Sequence, residues 1–392
     1  MYISRVKLKN WRNFVEVDVP LRRRQFLVGP NASGKSNFLD AFRFLRDIAK
    51  PDGGGLQRAV NKRGGLSRIR CLNAHSKTAS ELFVGVEISR SDSESILDRP
   101  KWIYEVGIKQ HRSGSVFISS ERVAKDDRLL LERPDSLDED DKERLQQTHL
   151  EQVNNNKEFR EVSDFLARIS YMHLVPQLLR HFDEIQGNIM EDDPFGQGLL
   201  HRMQQANKKT RDARLRKISA VIKIAVPNLE EIRFDRDPFG KYHIAGSYTN
   251  WRPRNAKQYE DQLSDGTLRL IGLLWSLLEN DSLLLLEEPE LSLHSGIVRN
   301  LAGLFHRAQK GKKIRHQLFI STHSAELLSD SGIDGGEILV LQPSRISGKG
   351  TTITPSGNIK GIKELLEIGE PPGLIVIQQT VPQDHLQISL FP

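Results

Sequence analysis

The sequence predicts an α/β fold with a mixed central sheet flanked by helices, an additional antiparallel sheet and a helical insertion. Three observations support this prediction. The apolar residues 25–28 lead into a glycine-containing loop, and residues 37–45 then carry apolar side chains at helical spacing. The apolar run at 283–286 ends in acidic residues, which is typical of a buried parallel strand. Residues 15–19 alternate valine with acidic side chains, as a half-exposed strand does.

Composition indicates a soluble globular protein. Of the 392 residues, 38% are hydrophobic and 28% are charged. The chain has no apolar run of about 18 residues, so we expect no membrane span, and its amino terminus does not resemble a signal peptide. The single cysteine, Cys71, excludes an intramolecular disulfide and a multi-cysteine zinc site, which fits a cytoplasmic protein.

The net charge of +6 permits a polyanionic partner without requiring one. Basic residues cluster at 22–24, 208–216 and 310–315. Each cluster is explained either by a solvated surface or by contact with such a partner.

The chain divides into four predicted segments. Residues 1–124 form an amino-terminal lobe that opens with two strands and continues as a meander at 81–89, 102–109 and 115–123. Residues 125–226 are charge-rich with helical spacing and are predicted to be a helical insertion. Strands resume in a carboxyl-terminal lobe, 227–345. The tail, 346–392, ends in apolar residues that we expect to pack back on the head rather than hold a partner.

The loop after the first buried strand matches the pattern G-x-x-x-x-G-K-[ST]. This phosphate loop consists of Gly29, Pro30, Asn31, Ala32, Ser33, Gly34, Lys35 and Ser36. Its glycines let backbone N–H groups point at a phosphate, and the helix that follows, including Asn37, directs its positive end there. Lys35 would reach the β- and γ-phosphates, and the Ser36 hydroxyl would bind Mg²⁺. The pattern therefore predicts a site for ATP and Mg²⁺.

Two further apolar strands end in side chains that could act on a phosphate. The first ends in Glu287 and Glu288, at the sheet edge where α/β proteins bind ligands. We expect Glu287 to hold Mg²⁺, directly or through water, and Glu288 to activate the attacking water. The second strand is followed by His323, which either hydrogen-bonds the γ-phosphate or its water or is an ordinary core histidine.

A small polar segment, Ser264, Asp265 and Gly266, opens a helix shortly before the acidic strand. We name it the signature segment. Alone, such a segment is either an anion site or an ordinary helix cap.

The order of these elements resembles the ATPase head of the ABC superfamily, in its RecF and structural-maintenance-of-chromosomes (SMC) branch. The opening Asn10-Trp11-Arg12-Asn13-Phe14 is similar to an asparagine–aromatic–arginine element of that branch. Arg12 is therefore a candidate contact for phosphate or a partner, with a surface turn as the alternative. Residues 263–267, 287–294 and 321–324 resemble the overcoming-lysogenization-defect-like (OLD-like) AAA ATPases.

The resemblance implies an ATPase head that works as a homodimer or a higher oligomer. ATP would lie on the phosphate loop of one subunit, and the signature segment of the second would close over its γ-phosphate. Lys35, Glu288 and His323 would then support hydrolysis, and His294 would lie at the dimer seam. The resemblance also implies a glutamine that orders Mg²⁺, for which Gln57 is the nearest candidate.

The resemblance further implies a function, with alternatives. OLD-like nucleases carry a metal-dependent nuclease domain, but few residues follow the histidine strand, so we expect no nuclease here. The sequence favours an ATP-hydrolysing dimer that senses or handles DNA with a separately encoded effector protein, in genome maintenance or defence against foreign DNA. A nucleotide-gated clamp with negligible turnover and a transporter ATPase subunit stay open as alternatives.

Overall fold

The computed structural model describes most of the chain: residues 1–74, 81–90, 101–111, 114–181, 192–249, 257–279, 281–309, 316–344, 346, 348–359 and 375–377. The basic cluster at 310–315 and most of the predicted tail lie outside these ranges. Within the tail, Val376 is buried against the second core cluster described below. No helix in the described ranges is long and apolar enough to cross a membrane.

The described residues form fifteen strands and eleven α-helices. The strands are β1 (Tyr2–Trp11), β2 (Phe14–Pro20), β3 (Arg24–Val28), β4 (Leu82–Ser89), β5 (Trp102–Gln110), β6 (Val116–Lys125), β7 (Arg128–Arg133), β8 (Ser170–Met172), β9 (Leu229–Arg236), β10 (Tyr242–Tyr248), β11 (Lys257–Gln258), β12 (Leu283–Glu287), β13 (Gln317–Ser321), β14 (Ile338–Pro343) and β15 (Thr351–Pro355). The helices are α1 (Lys35–Ala49), α2 (Leu56–Asn61), α3 (Leu66–Ile69), α4 (Ser136–Asp140), α5 (Arg160–Ala167), α6 (Pro176–Arg180), α7 (Leu199–Gln205), α8 (Lys208–Ala225), α9 (Asp265–Glu279), α10 (Ser295–Val298) and α11 (Leu301–Gln309).

The central sheet has the strand order β15-β14-β3-β13-β12-β8. All neighbours are parallel except β15, which pairs antiparallel with β14. The predicted mixed central sheet is therefore confirmed. Because their carboxyl ends meet at one edge, the residues that follow β3, β12, β13 and β8 converge there.

The second six-stranded sheet is antiparallel, with the order β2-β1-β4-β5-β6-β7. It contains the two predicted opening strands and the predicted meander, which are confirmed. A three-stranded sheet, β11-β10-β9, packs against α8.

The sequence predicted a helical insertion at 125–226, but this segment also contains two strands. β7 adds an edge strand to the antiparallel sheet, and β8 is a parallel edge strand of the central sheet. Both escaped prediction for physical reasons. β7 is largely exposed and charged at its ends, and β8 has only three residues, which is too short for a pattern. The division into domains stays a prediction.

Two hydrophobic clusters cover the two faces of the central sheet. Alternate residues of β12 belong to different clusters, with Leu283 and Leu285 on one face and Leu284 and Leu286 on the other. The antiparallel sheet and α1 complete the first cluster, and α9 completes the second. Burial on both faces explains why residues 283–286 of β12 and 318–320 of β13 are all apolar rather than alternating.

A buried ionic network joins β6, β7 and the segment after them. Arg133 donates to Glu121 Oε2 at 3.0 Å and to Asp138 Oδ1 at 2.8 Å, and all three side chains are fully buried. Glu121 also accepts the backbone N–H groups of His149 and Leu150. Each buried charge is thus compensated by its neighbours.

We expect Arg133→Leu to lower the free energy of unfolding by about 3–5 kcal/mol, because it leaves Glu121 buried without its cation and Asp138 with Arg144 alone. Urea denaturation measures the change. Arg128→Leu, at the exposed end of β7, is the matched control and should change it by less than about 0.5 kcal/mol. Equal effects of the two substitutions would contradict a role for the network.

Candidate functional site

The phosphate loop connects β3 to α1 through a turn that only glycine fits. Gly34 precedes α1 with φ 103°, in the left-handed region. A Cβ atom there would lie 2.7 Å from Asn13 Nδ2, so any other residue would clash with that side chain. The turn leaves the first N–H groups of α1 facing the loop, as an anion site requires.

Asn13 holds the phosphate loop in place. Its Nδ2 donates to the carbonyl oxygen of Ala32 at 3.3 Å, and its Oδ1 accepts from Asn37 Nδ2 at 2.6 Å. The indole N–H of Trp11 donates to the Asn37 carbonyl at 2.8 Å. The predicted binding residue Asn37 therefore contacts the β1–β2 turn, and Asn13 is a positioning residue that sequence reasoning missed.

Lys35 is buried among carboxylates. The residue is only 7% exposed, and its ammonium group donates to the carbonyl oxygens of Gly29 at 2.9 Å and Pro30 at 3.1 Å. Burial lowers the pKa of Lys35 to about 8, although the charges of Glu288, Glu287 and nearby Glu290 oppose that shift. The predicted phosphate-binding lysine thus lies within the electrostatic field of the predicted catalytic acids.

Glu287 joins the phosphate loop to β8. One carboxylate oxygen accepts a hydrogen bond from Ser36, and the other accepts one from the hydroxyl of Tyr171. The contact between Ser36 and Glu287 places a hydroxyl and a carboxylate oxygen within one coordination sphere, and magnesium prefers such oxygen ligands. These residues fit a magnesium ion. Sequence reasoning missed Tyr171 because β8 was not predicted.

Glu288 and His323 meet at the same sheet edge. Glu288 has φ 45° and donates its N–H to the Ser321 carbonyl at 3.0 Å. Its Oε1 lies 3.5 Å from His323 Nε2. Burial and the positive charge of Lys35 lower the pKa of His323, against the opposing charge of Glu288. His323 is therefore neutral at physiological pH, and its ring can exchange hydrogen bonds with a neighbouring group.

Glu290 fixes the backbone at His323. Its Oε1 accepts from the Thr322 hydroxyl at 2.6 Å and from the His323 N–H at 3.2 Å. Burial raises the pKa of this carboxyl. Sequence reasoning did not assign Glu290 a role, although its position two residues after Glu288 was visible.

The signature segment is held by a different part of the chain. Asp265 accepts hydrogen bonds at 2.6 Å from both Gln177 and Arg180 on α6. The Ser264 hydroxyl caps α9 by accepting the Thr267 N–H at 3.2 Å, and a Cβ on Gly266 would lie 2.7 Å from a backbone oxygen. Within the described ranges, no hydrogen bond or ion pair joins this segment to the phosphate loop of the same chain.

Two contacts connect the catalytic edge to the signature helix α9 and to β8. Arg269, which is 5% exposed, donates to the Glu288 carbonyl at 3.4 Å. His173 directly follows β8, and its Nδ1 lies 3.3 Å from the carbonyl oxygen of Glu287, the last residue of β12. Sequence reasoning missed both residues, because neither belongs to a motif.

Three other candidates make their described contacts with residues outside the convergence. The Arg12 guanidinium pairs with Asp40 Oδ2 on α1 at 3.2 Å. Gln57 donates to the carbonyls of Val116 and Gln146 at 2.8 and 2.9 Å, so its amide stabilises neighbouring loops and does not reach Glu287. His294 caps the short helix α10 and is exposed.

Comparison with known proteins identifies the family. A family model described as "AAA domain, putative AbiEii toxin, Type IV TA system" matches residues 26–329, most of the chain. The chain belongs to this family. A second model, the P-loop containing region of the AAA domain, matches residues 3–45. Among curated proteins, none matches the chain.

Solved structures of SMC head domains share the fold of this AAA-family chain. An SMC head bound to the C-winged helix domain of ScpA matches at 16% identity with a TM-score of 0.54, over 90% of this chain and 97% of that one. An SMC head with an extended coiled coil, bound to the C-terminal domain of ScpA derived from Pyrococcus furiosus, matches at 16% identity and a TM-score of 0.50, over 94% and 99%. The predicted fold, that of an ABC-type ATPase head, is confirmed, whereas the narrower OLD-like resemblance stays a prediction.

The depressed pKa of Lys35 leads to a pH dependence of nucleotide binding. Only the protonated ammonium attracts a triphosphate, so ATP affinity should change little below pH 8 and fall above it, by up to about tenfold per pH unit. Titration of a fluorescent ATP analogue at several pH values measures this. Lys35→Arg stays charged and should bind more weakly but without this decline; a flat profile for the unmodified protein would contradict the assignment.

Tyr171 should orient Glu287 for the metal. We expect Tyr171→Phe to raise the Mg²⁺ concentration for half-maximal nucleotide binding by about tenfold, because one oxygen of Glu287 loses its donor. The thermal midpoint should hardly change, since the ring and its contact with Arg43 remain. Tyr248→Phe on the small sheet is the matched control. Identical Mg²⁺ titrations for both variants would show that Tyr171 has no such role.

Proposed function

We propose that this AAA-family chain hydrolyses ATP and that two copies together form each active site. The observation that carries the proposal is the convergence of Lys35, Ser36, Glu287, Glu288 and His323 at one edge of the central sheet. A lysine, a hydroxyl, a metal-type carboxylate, a free carboxylate and a neutral imidazole are the groups that phosphoryl transfer to water needs.

The phosphate loop and the residues that support it would bind the nucleotide. The N–H groups at the start of α1 and the Lys35 ammonium would hold the phosphates, while Asn13 keeps the loop in shape. Ser36 and Glu287 would hold Mg²⁺, with Tyr171 orienting the carboxylate. When bound, Mg²⁺ supplies positive charge that neutralises the phosphates.

Glu288 and His323 would carry out the hydrolysis step. Glu288 would accept a proton from the attacking water, because no described residue donates a hydrogen bond to its carboxylate oxygens, and the ring of His323 lies 3.5 Å from one of them. The neutral His323 ring would donate to the water or the γ-phosphate. Glu290 keeps the His323 backbone in position.

The dimer is proposed because, within the described ranges, no hydrogen bond or ion pair joins the signature segment to the phosphate loop of its own chain. Asp265 is tied to α6, and Ser264 and Gly266 lie at the exposed start of α9. An anion site at a helix start is then available to a second copy. Higher oligomers are compatible with the same contact.

Action on DNA with a separately encoded effector extends the proposal. The net charge of +6 supports a polyanionic partner. The two SMC head structures carry a bound ScpA domain, so this fold can hold a separate protein. The family description names a putative toxin of a toxin–antitoxin system, which supports a role in defence against foreign DNA. The single buried cysteine fits a reducing cytoplasm.

The shared site predicts that the ATPase rate per subunit rises with protein concentration, because only dimers are active. Glu288→Gln should lower the rate by about 10²–10⁴-fold at every concentration. Glu139→Gln, on the surface of α4, is the matched control and should behave as the unmodified protein. Phosphate release at several protein concentrations, with and without DNA, measures all three.

A near-zero rate that ignores concentration and DNA would overturn hydrolysis by this chain alone and favour the nucleotide-gated clamp. A rate that is independent of concentration but lost in Glu288→Gln would overturn the shared site while leaving hydrolysis intact.

A further inference from the structure

A basic and aromatic surface outside the nucleotide site is formed by α8 and the β9–β10 hairpin. Helix α8 carries seven basic residues and one acidic residue, Asp212. Lys209, Arg216 and Lys223 are exposed and recur every seven residues, so they lie in one line along the helix, about 10 Å apart. We name this line the basic stripe.

The hairpin beside α8 displays stacked aromatic and guanidinium groups. Phe234 and Tyr242 stack with ring centroids 4.9 Å apart and an interplanar angle of 15°. Arg211 of α8 lies over Phe234 at 4.7 Å, and Arg236 lies over Tyr242 at 4.5 Å. The exposed Arg236 thus presents a guanidinium plane at the outer end of this stack.

Phe239 projects from the hairpin turn. It is 94% exposed, although a phenylalanine gains by burial. The turn is ordered, because Asp237 accepts the N–H groups of Phe239 and Lys241 at 2.9 and 2.8 Å. Because the Asp237 carboxylate accepts these two hydrogen bonds, it stays within the turn and does not cover the Phe239 ring.

The basic stripe and the hairpin belong to one surface. The Ser219 hydroxyl bonds the Ile232 backbone, whereas Arg214 lies over Trp275 of α9. On the helical wheel the basic stripe is next to Ser219 and opposite Arg214, so it borders the small sheet. Because Arg211 packs on Phe234 while Ser219 packs on Ile232, the hairpin turn points past the amino-terminal end of α8.

Resting on the proposed action on DNA, we infer that this surface binds single-stranded nucleic acid, with the basic stripe on the phosphates and Phe239 and Arg236 stacking on unpaired bases. Both kinds of group are needed for this ligand. Lysine and arginine neutralise phosphates regardless of sequence, and exposed aromatic rings and guanidinium planes stack on bases that are not paired. A protein partner would account for the phenylalanine, but it would account for the line of positive charge only if its own surface were acidic.

Fluorescence anisotropy with labelled oligonucleotides of about 20 residues tests the inference on the full chain. Single-stranded DNA, the same sequence as RNA, and duplex DNA are compared from about 50 to 200 mM salt. The first two separate the possible sources of the ligand. Anionic phospholipid vesicles serve as a further probe, since exposed phenylalanine and lysine also occur at membrane surfaces.

Two sets of variants separate charge from stacking. Phe239→Ala should weaken the binding of single strands about tenfold and leave the slope of log affinity against log salt unchanged. Phe239→Trp, which keeps an aromatic ring, should bind as tightly as the unmodified protein. The triple variant Lys209→Glu, Arg216→Glu, Lys223→Glu should weaken binding further and flatten the slope of log affinity against log salt by about 2. The matched control places the same charge changes at exposed Arg128, Lys142 and Lys157 and should have the smaller effect.

The outcomes distinguish the inference from the proposed function. If the unmodified protein binds DNA and the two triple variants lose affinity equally, this surface is not the site, while action on DNA stands. A preference for duplex DNA that Phe239→Ala leaves unchanged would overturn the stacking role. Binding to vesicles but to no oligonucleotide would overturn the inference and the proposed action on DNA together.

Discussion

Burial of the central sheet on both faces is the constraint on which the site depends. Because successive residues of β12 and β13 pack into opposite hydrophobic clusters, a shift of either strand by one residue would move each apolar side chain into the other cluster, and in β12 it could place Glu287 at the buried position of Leu286. Glu287, the last residue of β12, and His323, two residues after β13, are therefore held in register with the end of β3. The hydrophobic core thus determines where the polar groups meet.

The polar groups then bind one another and extend the site beyond the sheet edge. Tyr171 and His173 contact Glu287, and a few residues later Gln177 and Arg180 hold Asp265. Residues 171–180 therefore connect the nucleotide edge to the signature segment within one chain. Arg269 forms a second connection, from α9 to the Glu288 carbonyl. If the signature segment binds the nucleotide of a second copy, these contacts connect the two nucleotide sites. A change at Glu287 or Glu288 in one site could then alter the position of the signature segment in the other.

The fold and the motif residues could be predicted because their signals are local. A buried parallel strand, a glycine turn and an acidic strand end can each be recognised from a pattern of about ten residues. The misses depend on long-range geometry. β8 is three residues long, so Tyr171 and His173 gained their importance only from pairing with β12. Gln57 is the nearest candidate for the Mg²⁺-ordering glutamine along the chain, yet α2 directs it to Val116 and Gln146. Sequence distance was a poor guide to distance in space.

The shared active site is the central claim, and mixing two inactive variants tests it most directly. Lys35→Met removes the phosphate-loop lysine, and Ser264→Arg blocks the exposed signature segment. Each variant alone should be nearly inactive. If a site combines the loop of one copy with the signature of the other, an equal mixture should recover about a quarter of the unmodified rate, because half of the pairs are mixed and each has one intact site. A mixture no more active than its separate components would contradict the shared site.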